Sequence, residues 1–200
     1  MKKSNLIMLI AALLPLGLFI FPLWKITLEA PQYPTPLGMY IHINDFSDVH
    51  PHDIKNINLM NHYVGMKYIP ESIPEFKIFP IAIIASSIIG LLIAFIGNYK
   101  WFLAWFILMV IMCSAGLYDF YLWEHNYGHD LDPKAIMKFT NPDGSVMGFQ
   151  PPLFGSKNIL NFRAHSYPQL GGLFLGFGIL TSLLAYYIGK KIKKSSFKIG

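Results

Sequence analysis

Four stretches of the chain carry no charged residue at all: residues 5–24, 79–97, 101–118 and 170–189. At about 1.5 Å per helical residue, each covers most or all of a hydrocarbon core roughly 30 Å thick. Inside lipid every backbone N–H and C=O must be satisfied within the protein, so a single apolar run of this length is a helix rather than a loop. The chain is also 54% hydrophobic over 200 residues with a positive mean hydropathy, too apolar for a water-soluble domain of that size. These features predict an all-α integral membrane fold: four transmembrane helices, two polar loops at 25–77 and 119–167, and a basic tail at 190–200.

Lys2 and Lys3 precede the first run, which is read as a retained anchor and not a cleaved leader. Its apolar part is long, and Leu28-Glu29-Ala30 is followed by Pro31, a poor cleavage context. Pro15 and Pro22 are expected to bend or end this helix. The loop at 25–77 is punctuated by prolines and holds short β-favouring pieces such as 39–43. Asn98-Tyr99-Lys100 is a polar break so short that the second and third helices must be antiparallel neighbours. The fourth run contains Gly171, Gly172, Gly176 and Gly178, small residues that let helices approach closely within one bundle.

Charge placement sets the orientation. The N-terminus, the Lys100 turn and the tail hold eight lysines and no acid, while the two long loops hold eight Lys or Arg and all eleven acids. The positive-inside rule puts both termini in the cytoplasm and both loops outside, folded together as a small cap. This accounts for the net charge of +5 without nucleic acid, and the lysine tail is expected to meet anionic lipid headgroups. A single cysteine, Cys113, excludes an internal disulfide and a thiolate zinc site.

All seven histidines fall in the two loops, along with Met39, Met60, Met66, Met137 and Met147. Imidazole with thioether is a ligand set that suits copper, whereas imidazole with carboxylate suits zinc or iron. The densest chemistry is YDFYLWEHNYGHDLD at 118–132. His125 and His129 are four apart, so a third helix continuing past the membrane puts both rings on one face, where they can share a metal. Asp119 joins them as a candidate ligand, and Glu124, Asp130 and Asp132 can orient an imidazole by accepting its second N–H. Asp119, at the end of a spanning run, needs a partner, with Lys138, Lys157, Arg163, His125 or a bound cation as candidates. Met60, His62 and Met66 form a second candidate set, for Cu(I). Gly128 is a signal that could end the helix before His129. No HExxH, GxSxG, Walker or CxxCH motif occurs, which removes support from the enzyme classes built on them.

The phrases PTPLGMYIHI (34–43), NINLMNHYVGMKYIPESIPE (56–75), YDFYLWEHNYGHDLDP (118–133) and FQPPLFGSKNILNF (149–162) resemble a family of small multi-span membrane proteins. That family is associated with bacterial gene clusters for nitrous-oxide reductase and its copper-loading proteins. The resemblance implies a periplasm-facing accessory factor in copper delivery or respiratory-enzyme assembly, with a periplasmic copper protein or metalloenzyme as partner. Two alternatives stand beside it: a metal-free docking subunit of a membrane assembly complex, and a quinone- or proton-handling membrane subunit.

Overall fold

The computed structural model describes residues 2–196. Helix α1 (Lys3–Leu13) runs into a 3-10 segment at Leu14–Phe19, and strands β1 (Trp24–Glu29), β2 (Leu37–Ile41) and β3 (Phe46–Asp48) follow. Helix α2 (Asp53–Val64) leads to the long helices α3 (Glu75–Ile96) and α4 (Tyr99–His129). A hairpin, β4 (Gly155–Ile159) and β5 (Phe162–Pro168), precedes α5 (Leu170–Ser196).

Three helices are long and apolar enough to cross a membrane: Glu75–Ile96, Tyr99–His129 and the Leu170–Lys194 part of α5. Lys3–Phe19 is a shorter apolar helix that packs with them. Met8, Ala11 and Ala12 of α1 are fully buried, as are Phe102 and, to within 1%, Trp105. The Trp105 indole N–H donates to the Ser86 carbonyl at 2.8 Å, tying α4 to α3 as the short Asn98 turn requires. The bundle is close-packed through small residues. A Cβ on Gly90 would lie 2.7 Å from Ala12, and one on Gly178 would lie 3.0 Å from the Ala11 carbonyl, while Gly176 faces open space. Outward, Ile81, Leu92, Phe95, Ile111 and Leu180 are each 59–69% exposed, a belt of apolar surface that water would not tolerate.

Several expectations need correction. The fold is not all-α, because the two loops supply a five-stranded antiparallel sheet in the order β3-β2-β1-β5-β4. The strand after the first apolar run joins the loops: β1 pairs with β2 (Ile26 opposite Met39) and with β5 (Leu28 opposite Ala164). Trp24, expected to close the first span, instead opens β1, and its indole N–H donates to the buried Ser166 hydroxyl at 2.7 Å. The α-helix of that span stops at Leu13, where Pro15 enters near the start of the 3-10 segment and lacks the N–H that an α-helix interior needs. The expected third span, 101–118, lies inside a helix that continues to His129. Residues 53–64, read as loop, form α2.

The basic ends meet at one end of the bundle. Gly189 and Gly97 there lie against Tyr99 and Ser4 and against Asn5, and the Lys193 ammonium sits 5.7 Å from the Tyr99 ring. The Lys190 ammonium lies 5.6 Å from the Tyr186 ring, Lys2, Lys3, Lys100, Lys191 and Lys194 belong to the same helix ends, and Lys198 falls outside the described residues. The sheet and α2 form the cap at the opposite end.

Candidate functional site

Alternation along the strands turns Ile26 and Leu28 of β1, Met39 of β2, and Phe162 and Ala164 of β5 to one face of the sheet. Helix α2 lies across that face. It is anchored by Asp53, whose Oδ2 accepts the Gly38 N–H at 2.8 Å and the His50 N–H at 2.9 Å. Asp48 accepts the Ile54 N–H, so the acids around His50-Pro51-His52 pin α2 to the sheet. The last turns of α4 close the third side. About twenty residues of α4 suffice to cross a bilayer, but its 31 residues extend roughly 46 Å. Residues 119–129 extend beyond the charge-free run 101–118, and there Phe120 and Trp123 pack on Met39, Ile41 and Ile69.

Between sheet, α2 and the end of α4 lies a cavity of about 730 Å³. Its wall is mostly aliphatic and aromatic, with the amides of Gln32, Asn61 and Asn161, and includes four thioethers, those of Met39, Met60, Met66 and Met137. Among the described residues no Lys, Arg, His or Asp lines it, and Glu124 is its one carboxyl group. Glu124 is 0% exposed, and neither carboxylate oxygen meets a hydrogen-bond donor. Burial pushes its carboxyl up to about 8 from the ordinary value of 4.5. A fully buried carboxyl without a donor is costly to the fold, which makes it the most distinctive group in the cap.

The sequence-derived candidates distribute unevenly. His125 and His129 do share a face of α4: their rings stack with centroids 4.3 Å apart, both exposed, and His129 Nδ1 lies 2.9 Å from the His125 carbonyl. Gly128 does not stop the helix. Asp119 lies six residues below His125, about 9 Å along the axis and on another face, so the structure leaves it apart. It lines a smaller cavity of about 280 Å³ at the junction of bundle and cap, together with His42 and Glu75. None of Lys138, Lys157, Arg163 or His125 pairs with it. Asp130 pairs with Lys67, and Asp132 accepts the Lys134 N–H, so neither orients the His pair. Met60 and Met66 meet in the large cavity, whereas His62, two positions from Met60 on a helix, stacks on Tyr68 outside it. Among the described residues no group of three or more His, Cys, Asp or Glu is arranged to hold a metal ion.

One constellation was invisible from spacing. Ser156 Oγ lies 2.6 Å from His165 Nδ1, and His165 Nε2 lies 3.2 Å from Glu29 Oε1, on the outer face of the sheet. The order resembles a nucleophile, base and acid, but the three stand on β4, β5 and β1 side by side, outside both cavities. It reads as a cross-strand polar chain. Helix α2, by contrast, had a legible signal in Ile54, Ile57, Asn61 and Val64 at helical spacing, ended by Gly65 at positive φ. No protein-family model matches the chain, and no curated protein or solved structure matches it.

Proposed function

We propose that this chain is a non-catalytic binding module of a bacterial inner membrane, holding a hydrophobic ligand in a cap on the outer face. The observation that carries the reading is the apolar 730 Å³ cavity, within the size range of small-molecule sites and with a single unsatisfied polar group in its wall. Four segments cross the bilayer in this reading. The 3-10 half of the first, at about 2 Å per residue, stretches Lys3–Phe19 to roughly 28 Å. The lysine-rich end lies in the cytoplasm with both termini, and the sheet faces the periplasm. The test is uptake of a neutral apolar probe by the purified protein in lipid nanodiscs. Saturable binding at one site per chain, lost when Met66→Trp fills the cavity, supports the reading, and unsaturable partition into lipid alone rejects it.

A second reading is copper delivery or assembly of a periplasmic metalloenzyme of the nitrous-oxide reductase type. It is favoured by the stacked, exposed His125 and His129 rings and by the four cavity thioethers, which are soft donors suited to Cu(I). Elemental analysis of the detergent-purified protein and Cu(I) competition with a chelator test it. About one copper per chain, reduced by His125→Ala with His129→Ala or by Met60→Leu with Met66→Leu, supports it. Copper unchanged in both double variants would sink both sites.

A further inference from the structure

We infer that the cavity selects hydrophobic organic cations, with the Glu124 carboxylate as counter-ion and the surrounding aromatic rings as the remainder of the cation site. This deepens the binding-module reading and rests on it. Three observations point the same way. Glu124 is wholly buried and unpartnered in the cavity wall, so its oxygens are unused by the fold. Trp123, Tyr127, Phe139, Phe149 and Phe162 line the same space, and aromatic faces attract cations most strongly where water is excluded. Among the described residues no basic side chain lines the wall to neutralise Glu124 from within.

The alternatives fit less well. An anionic ligand would face Glu124 with no cation to receive it. A strongly hydrated inorganic ion would lose its water shell to a wall with few oxygens. A neutral hydrocarbon would fill the space but leave both carboxyl oxygens unsatisfied, at a cost that a cation avoids. The ligand that removes the defect has a bulky apolar body and one tertiary or quaternary ammonium group.

Protonation supplies a second signature. With its carboxyl pushed up to about 8, Glu124 is mostly neutral at pH 7 in the empty cavity. Binding a permanent cation favours the carboxylate, so a proton leaves as the ligand enters. Affinity therefore rises with pH up to about 8 and levels off above it. The other titratable groups on the wall are Tyr63 of α2 and Tyr127 of α4. The sheet strands and the segment from Met137 to Pro151 contribute none.

The experiment compares benzyltrimethylammonium with its neutral carbon isostere, neopentylbenzene, by equilibrium dialysis against protein in nanodiscs of uncharged lipid between pH 6 and 9. The expected result is roughly ten-fold or greater preference for the cation at pH 8, with cation affinity falling below that pH. Glu124→Gln, nearly isosteric, should abolish both the preference and the pH dependence while leaving the neutral probe bound. Equal binding of the two probes with a flat pH profile overturns the inference and leaves the apolar cavity reading standing. Saturable binding of neither probe overturns both. The wild-type pH profile decides the matter even if the Gln variant does not fold.

Discussion

In the bundle, Met8, Phe102, Trp105 and Met109 are at most 1% exposed and fill the space between the helices, whereas in the cap four methionines stand around an open 730 Å³. Both regions are apolar inside. The bundle is tightest where Gly90 and Gly178 bring backbones together, and it loosens toward the cap, where the cavity of about 280 Å³ opens between its helices. The cap stays open because its three walls come from distant parts of the chain and meet through long side chains around a buried acid. Two carboxylates five positions apart on α4 show the same contrast: Asp119 at the junction shares its cavity with His42 and Glu75, while Glu124 one turn higher is alone in an apolar wall. Close packing in the bundle serves stability, and the unfilled cap is where binding can occur.

Four measurements can break or sharpen that contrast. Trp105→Ala should destabilise the bundle by about 3–5 kcal/mol, since it empties a filled core and removes the 2.8 Å bond to the Ser86 carbonyl. Thermal unfolding in detergent should show it, and a shift no larger than for an outward residue such as Ile81→Ala would mean the bundle is not packed as described. Trp24→Phe removes the 2.7 Å bond to the buried Ser166 hydroxyl and should loosen the β1–β5 seam by about 1–3 kcal/mol. Faster amide exchange in the cap with the bundle unchanged would establish that the two regions respond separately. If both exchange faster together, they are one cooperative unit.

The third measurement is a pH series on the cap. Glu124 binds its proton more tightly folded than unfolded, so its contribution to stability is full below about 4.5 and is lost as pH rises toward about 8. Glu124→Gln should flatten that decline, and a variant with the wild-type slope would show that another group causes it. The smallest effect is expected for Met66→Phe, which adds volume to the cavity. Its stability should lie within about 1 kcal/mol of wild type, because the space is unfilled. Gly90→Leu, an enlargement in the bundle, should by the same assay cost more than 1 kcal/mol.

Much of the bundle was legible. Charge-free runs mark the long helices, Pro15 marks the change to 3-10 geometry, and the lysines mark one end, because each is a local property of consecutive residues. The His125 and His129 pair was legible too, since four residues on a helix always make one turn. Glu124 was not. Its place beside His125 in the sequence suggests an acceptor for an imidazole, but adjacent residues on a helix point about 100° apart, and only the position of the sheet decides which side is buried. Asp119 groups with the histidines in the sequence for the same reason: nearness along the chain hides a rise of about 9 Å and a change of face.

By itself the sequence determined where the chain is apolar enough to cross lipid, which end carries the lysines, and that the histidines and most methionines lie between the apolar runs. Those facts follow from composition and from backbone hydrogen bonding within single segments. Only the tertiary structure decided that the two loops share one sheet, with β1 between β2 and β5, and that Met39, Met60, Met66 and Met137 line one cavity with Glu124. A sheet is closed by hydrogen bonds between residues as far apart as Glu29 and Arg163, and no local pattern encodes which distant strand will supply them.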